Sequence, residues 1–194
     1  MTPRVTESSF DAQYRTNPDP WEYASSDYER VKYERTLAAL PPGKFGRALE
    51  MGCSIGVFTE LLADRCTDLI AVDFSERALA FARTRLADRR GVRIERRDLP
   101  EETPAGPFDL VVCSDVLYYW SEDLICDALS RVEFALAPGG SFLVVDWRGD
   151  DPEAPSDGDA VHALLRAQTV LARAHWEEHS GYLIERWDKP GSDS

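Results

Sequence analysis

Short apolar runs alternate with helix-patterned stretches along most of this chain, and that order leaves few folds open. Residues 47–51, 69–73 (LIAVD), 92–96, 108–113 (FDLVVC) and 141–147 (SFLVVDW) have the aliphatic, β-branched character of strands. Between them, residues 57–65, a stretch from Ser75 to about Leu86, and residues 122–136 repeat apolar positions at helical spacing. Ser75 can cap the second of these helices, and Pro138-Gly139-Gly140 ends the third. Residues 160–174 read as another helix, and residues 175–180 and 182–188 as two strands around Gly181. Upstream, Tyr28, Val31, Leu37 and Leu40 place a helix over residues 27–40, stopped by Pro41 and Pro42. Residues 1–20 are polar, contain Pro18 and Pro20, and are expected to wrap the surface.

Strands alternating with helices form βαβ units, which pair in parallel through right-handed crossovers. The expected fold is α/β: a Rossmann-like, doubly wound, seven-stranded and mostly parallel sheet closed by a C-terminal antiparallel hairpin. The more polar run at 92–96 belongs nearer an edge. Residues 1–194 are expected to form one domain, with 1–43 as an N-terminal lid segment. Such sheets bind ligands beyond the carboxyl ends of their strands. That rule gathers residues 50–56, Asp73, Asp98, residues 114–119 and Trp147-Arg148 around one crevice.

Composition narrows the partners. The formal net charge is -13, whereas nucleic-acid binding rests on basic residues that neutralise phosphates. Neither a nucleic acid nor a membrane is therefore an expected partner; a small-molecule acceptor is, and the oligomeric state stays open. No apolar run approaches the roughly 20 residues of a bilayer span, and MTPRVTESSFDAQY lacks a signal-peptide core, so a cytoplasmic location is expected. Cys53, Cys66, Cys113 and Cys126 form no C-x-x-C pair, and no metal site is expected.

The stretch LEMGCSIGVFTELL, residues 49–62, joins the first strand to its helix through two glycines. Glycines there let a ligand pass close to the backbone, although a tight turn without a ligand explains them equally well. Asp73, about 20 residues on, favours the ligand: an acid at that strand end can accept two hydrogen bonds from ribose hydroxyls. The third glycine of the dinucleotide fingerprint is absent, and Glu50 precedes the turn, where it repels pyrophosphate and suits a cationic amino-acid moiety.

With RRDLP (residues 96–100) and LAPGGSFLVV (residues 136–145), this E-x-G-x-x-x-G turn resembles the class I S-adenosylmethionine-dependent methyltransferases over roughly residues 44–188. The resemblance implies that Gly52, Ser54 and Gly56 approach the methionine part of S-adenosyl-L-methionine, with Glu50 beneath it. It implies that Asp73 grips the ribose, Phe74 lies against adenine, Asp98 takes the exocyclic amine and Leu99 offers its backbone. Ser114 and Val116 would line the opposite wall. Asp98 as a solvated loop acid and Phe74 as core remain alternatives.

DPWEYASSDYERVKYERTLAALP (residues 19–41), the serine at the middle of the turn, SDVLYYW (residues 114–120) and WRG followed by GDAVHALL resemble the NodS-like nodulation N-methyltransferases, from about Phe10 to Trp187. That resemblance implies methyl transfer to the amino group of an aminosugar or deacetylated chitooligosaccharide, with S-adenosyl-L-homocysteine as product. The acidic loop at 149–159 departs from the family pattern. Trp21, Tyr23, Tyr28 and Tyr33 form a lid or pin a helix to the core, and Trp21, Tyr28 and Lys32 are candidate cofactor contacts, Lys32 through the cofactor carboxylate. His162 is the candidate base or acceptor contact and Tyr119 the candidate acceptor positioner. An O-methyltransferase of a small natural product, an NAD(P)-dependent oxidoreductase and a non-catalytic cofactor-binding protein are the competing readings.

Overall fold

Side chains of a strand alternate between faces, and here both faces of the central strands are apolar. In the computed structural model, which describes residues 7–149, 151–152 and 154–191, those strands are β1 (Phe45–Met51), β2 (Cys66–Asp73), β4 (Phe108–Ser114) and β5 (Leu136–Trp147). With β3 (Val92–Arg96), β6 (Ala172–Glu178) and β7 (Tyr182–Asp188) they form one seven-stranded sheet of order β3-β2-β1-β4-β5-β7-β6. The pairs from β3 to β5 are parallel, and β7 pairs antiparallel with both β5 and β6. The polar β3 is indeed an edge, as expected. The chain leaves β1 outward to β2 and β3, then returns to place β4 on the other flank of β1, so the reversal point lies between β1 and β4.

Leu49, Met51, Val72, Val111, Cys113 and Val144 share a core cluster with α5 (Glu122–Ala135) and α6 (Gly158–Gln168). Ala48, Leu69, Leu110, Val112 and Leu143 face the other way, in a cluster with residues of α2 (Asp27–Ala38) and α3 (Val57–Ala63). Each Leu or Val buried this way contributes roughly 1.5–3 kcal/mol. The remaining helices are α1 (Glu7–Thr16) and α4 (Glu76–Arg85), the latter capped by Ser75 Oγ accepting from the Ala78 N–H at 3.2 Å. Among the described residues no helix is long and apolar enough to cross a membrane.

Several spans depart from expectation, among them β5, which begins at Leu136 and runs through Pro138-Gly139-Gly140 instead of starting at residue 141. Residues 7–16 form a helix rather than a surface wrap. Helix α6 stops at Gln168 instead of residue 174, because Thr169 takes an extended conformation. Glu133 of α5 holds it there: its Oε1 accepts from Thr169 Oγ1 at 2.7 Å and from the Val170 N–H at 3.0 Å. The chain then enters β6 at Ala172. Residues 1–6, Asp150 and Glu153 of the acidic loop, and residues 192–194 lie outside the described residues.

Between α6 and the sheet, His162, Asp146 and Glu185 form a fully buried charge cluster that two half-exposed arginines join from the surface. His162 Nδ1 is 2.9 Å from Glu185 Oε2, its Nε2 is 3.5 Å from Asp146 Oδ2, and Glu185 Oε1 accepts from Arg166 and Arg173 at 2.8 and 3.1 Å. Burial alone would lower the His162 pKa, but the two carboxylates that face its ring override this and raise it. Burial alone would raise Glu185, and hydrogen bonds from His162 and Arg166 lower it instead. The His162 contribution to stability is therefore complete below about pH 6.5 and fades as pH rises through its raised native value. The Glu185 contribution is complete above about pH 4.3 and fades as pH falls through its lowered native value. Replacing His162 by Asn should consequently cost most stability between about pH 4.3 and about 6.5, and less in urea unfolding at about pH 8.5.

Candidate functional site

Strand β1 turns into α3 through Gly52-Cys53-Ser54-Ile55-Gly56. The Gly52 and Cys53 N–H groups both donate to the Val72 carbonyl, at 2.8 and 2.9 Å, tying the turn to β2. Gly52 has φ 79°, and a Cβ there would sit 2.2 Å from Val116 Cγ2. Glycine is needed at this position because the loop after β4 closes onto the turn. Ser54 holds φ 49° without being glycine, at a cost of roughly 1–2 kcal/mol. Its Oγ lies 2.5 Å from Tyr14 Oη of α1, and its N–H donates to Asp73 Oδ2 at 2.9 Å, which offsets that cost.

Asp73, the last residue of β2, also accepts the Ser75 N–H at 2.9 Å. Burial raises its carboxyl, against the pull of these backbone donors. Each carboxylate oxygen keeps a further lone pair for a group in the crevice. Glu50 is buried in β1, its Oε2 has no hydrogen-bond partner among the described residues, and burial pushes its carboxyl up to about 7. A cationic or hydrogen-bond-donating group beside it would satisfy that orphaned oxygen.

These residues line a cavity of about 300 Å³. Phe74, Asp98 and Leu99, from the loops after β2 and β3, line it as well, as do Ser114, Asp115 and Val116 after β4. Phe10 and Tyr14 of α1, with Trp21 and Tyr23, complete the lining. The Phe10 ring packs edge-on to Phe74 and Tyr119, with centroids 5.4 and 5.1 Å away.

A second cavity, also about 300 Å³, shares Trp21, Tyr23, Asp115 and Tyr119 with the first. It adds the rings of Tyr28, Tyr118 and Trp147 and the charged groups of Glu29, Lys32 and Asp151. Asp115 has φ 56°. Its Oδ2 accepts from Lys32 Nζ at 2.6 Å and from Ser114 Oγ at 3.1 Å, and its Oδ1 accepts the Trp147 N–H at 3.0 Å. Lys32, 2% exposed, also donates to Glu29 Oε1 at 3.0 Å. Burial alone would lower the lysine pKa, but Asp115 and Glu29 hold it above its ordinary value.

The sequence profile of the nodulation protein S (NodS) family matches residues 11–151. The chain belongs to the NodS family. Nodulation protein S of Sinorhizobium fredii is 34% identical over 64% of this chain and 59% of its own length. Trans-aconitate 2-methyltransferase of the same species is 31% identical over 87% of this chain and 63% of its own length. The chain thus spans about three fifths of these two curated relatives. The crystal structure of the N-methyltransferase NodS from Bradyrhizobium japonicum, in complex with S-adenosyl-L-homocysteine, is 26% identical. It superposes with a TM-score of 0.83 over 95% of this chain and 98% of its own.

Glu50, Gly52, Ser54, Asp73, Phe74, Asp98, Leu99, Ser114, Val116, Trp21 and Tyr119 all line the first cavity. Gly56 does not; it caps α3, and a Cβ on it would meet Ala82 and Leu86 at 3.1 Å. Tyr28 and Lys32 line the second cavity instead, where two carboxylates already occupy the Lys32 ammonium, so it is not free to hold a cofactor carboxylate. The expectation for His162 needs correction: it is fully buried between Asp146 and Glu185 and lines neither cavity. The apolar face of α6 turns His162 toward the sheet and away from the crevice. Asp115 falls within the residues 114–119 that the sequence gathers at the crevice, but its sequence context assigns it no role, and Glu29, Phe10 and Tyr14 were not expected there. The i, i+4 spacing of Phe10 and Tyr14 was the available signal for α1. Gly52→Ala should lower stability by about 1–3 kcal/mol in thermal or urea unfolding, through the left-handed backbone and the displaced Val116.

Proposed function

We propose that this NodS-family chain is an S-adenosylmethionine-dependent N-methyltransferase acting on the amino group of a small, otherwise uncharged acceptor, an aminosugar or deacetylated chitooligosaccharide. The charge of the second cavity carries this reading. Among the described residues that line it, the cation Lys32 is paired with both Glu29 and Asp115, two carboxylates to one ammonium. Aromatic rings and net negative charge suit an ammonium group; they oppose a polycarboxylate such as trans-aconitate, whose O-methylation is the competing reading.

The first cavity fits the cofactor. When bound, S-adenosylmethionine supplies an electrophilic methyl group on a sulfonium. Glu50 would offer its orphaned oxygen to the cofactor's cationic part, Asp73 its spare lone pairs to the ribose, and Phe74, Asp98 and Leu99 a place for adenine. Tyr119 and Asp115, which line both cavities, would orient the acceptor nitrogen. Such positioning accounts for much of the rate in a bimolecular displacement, with effective molarities worth roughly 7–11 kcal/mol. Residues 7–43 would act as the lid that excludes water.

Three measurements test this. Asp73→Ala should weaken S-adenosylhomocysteine binding in calorimetry by about 10–100-fold, the equivalent of a charge-assisted hydrogen bond; unchanged affinity would remove Asp73 from the site. Ionised Glu50 favours a cation, so S-adenosylmethionine affinity should rise as pH increases through about 7; a flat profile would separate Glu50 from the ligand. Mass spectrometry should show methylation of glucosamine oligomers and not of trans-aconitate, and the reverse outcome would replace the N-methylation reading with O-methylation.

A further inference from the structure

The Glu29–Lys32–Asp115 triad carries two carboxylates and one ammonium in a buried setting, which leaves one uncompensated negative charge. The two carboxylates differ in how they are held. Asp115 accepts three hydrogen bonds, from Lys32, Ser114 and the Trp147 backbone. Glu29 Oε1 accepts from Lys32, while its Oε2, though 2.9 Å from Nζ, is buried without a directed hydrogen bond. One carboxylate is thus committed to holding its place and the other keeps capacity for a proton.

Resting on the amine reading above, we propose that Glu29 is the general base that takes the proton from the acceptor ammonium, while Asp115 anchors that ammonium. The proton passes from the ammonium to the Glu29 carboxylate and frees the nitrogen lone pair. The N–CH₃ bond then forms as the CH₃–S bond breaks, with its electron pair left on sulfur. The product leaves as an N-methylammonium ion and Glu29 returns its proton to water. Lys32 keeps the pair apart in character: its ammonium holds Asp115 at 2.6 Å and contacts Glu29 at 2.9 Å or more.

The titratable groups facing Glu29 are Lys32, Tyr28 and Tyr33 of α2, Asp115 after β4 and Tyr182 of β7. Burial, reinforced by the Asp115 charge, raises the Glu29 carboxyl, and Lys32 and the Tyr33 hydroxyl oppose the rise. A raised carboxylate is a stronger base, as proton abstraction near neutral pH requires.

Glu29→Gln retains shape and cannot accept the proton. With glucosamine oligomers as acceptor, kcat should fall about 100-fold at neutral pH. The loss should shrink as pH rises above the acceptor's own amine pKa, where solvent does the deprotonation. Calorimetric binding of the oligomer to the protein loaded with S-adenosylhomocysteine should weaken for both Glu29→Gln and Asp115→Asn, each of which removes a charge facing the ammonium, but only Glu29→Gln should lose kcat at saturating oligomer, the expected split between a base and a charged anchor. Should Glu29→Gln not fold by circular dichroism, Glu29→Asp replaces it, with reduced kcat and retained oligomer affinity expected. A variant with wild-type kcat, a pH-independent loss, or a loss explained by weaker oligomer binding would overturn the assignment. A wild type that binds S-adenosylmethionine but methylates no amine would instead overturn the amine reading and this inference with it.

Discussion

The ion contact between Lys32 and Asp115 joins the helix that precedes the sheet to the loop that follows β4. Lys32 crosses 83 residues of sequence to reach its partner at 2.6 Å. Neither charge is tolerable alone at that depth, so α2 and the loop must dock together. That docking sets the position of Asp115, and Asp115 in turn holds the Trp147 backbone at the end of β5. Asp115, which lines both cavities, is therefore placed by the need to compensate a buried lysine. Desolvation is what makes the interaction decisive: the same pair on the surface would be worth roughly 0–1 kcal/mol.

Much of the fold was legible in the sequence because the central strands are apolar on both faces and short. The run LIAVD and the run FDLVVC cannot be satisfied anywhere but in a covered parallel sheet. The cofactor-side lining was legible for a different reason: the carboxyl ends of parallel strands converge, so Glu50, Asp73, Asp98 and Ser114 were bound to meet once the strands were identified. What was hidden depends on long-range partners. Nothing local stops α6 at Gln168; the side chain of Glu133, more than thirty positions earlier, does so. Helix α1 is polar in composition, and only its contacts with Tyr119, Phe74 and Ser54 reveal what Phe10 and Tyr14 are for.

His162 illustrates the limit of reading chemistry from residue type. A histidine on a helix after the last parallel strand invites a catalytic role, and the helix does lie next to the site. Its side chain instead points to the far face of β5, where alternation puts Asp146 on the side opposite Val145. The single-residue register of a strand thus decides whether an imidazole meets a substrate or a buried carboxylate. Lys32 shows the converse. A lysine near a cleft invites an anion, yet its two partners turn the cavity it lines negative.

The α1 helix makes two short hydrogen bonds to the floor of the first cavity: Tyr14 Oη with Ser54 Oγ, and Ser75 Oγ with Asp11, both at 2.5 Å. These bonds reach the turn after β1 and the helix cap after β2, the two backbone segments whose N–H groups hold Asp73. The neutral Tyr14–Ser54 bond is worth about 0.5–1.5 kcal/mol net, and the bond to the Asp11 carboxylate about 1.5–3 kcal/mol. Helix α1 is thus fastened over the crevice by two hydroxyls together with the ring contacts of Phe10. Because one of those hydroxyls belongs to the serine that stands where the turn would otherwise hold glycine, the left-handed backbone at Ser54 and the seat of α1 depend on one side chain.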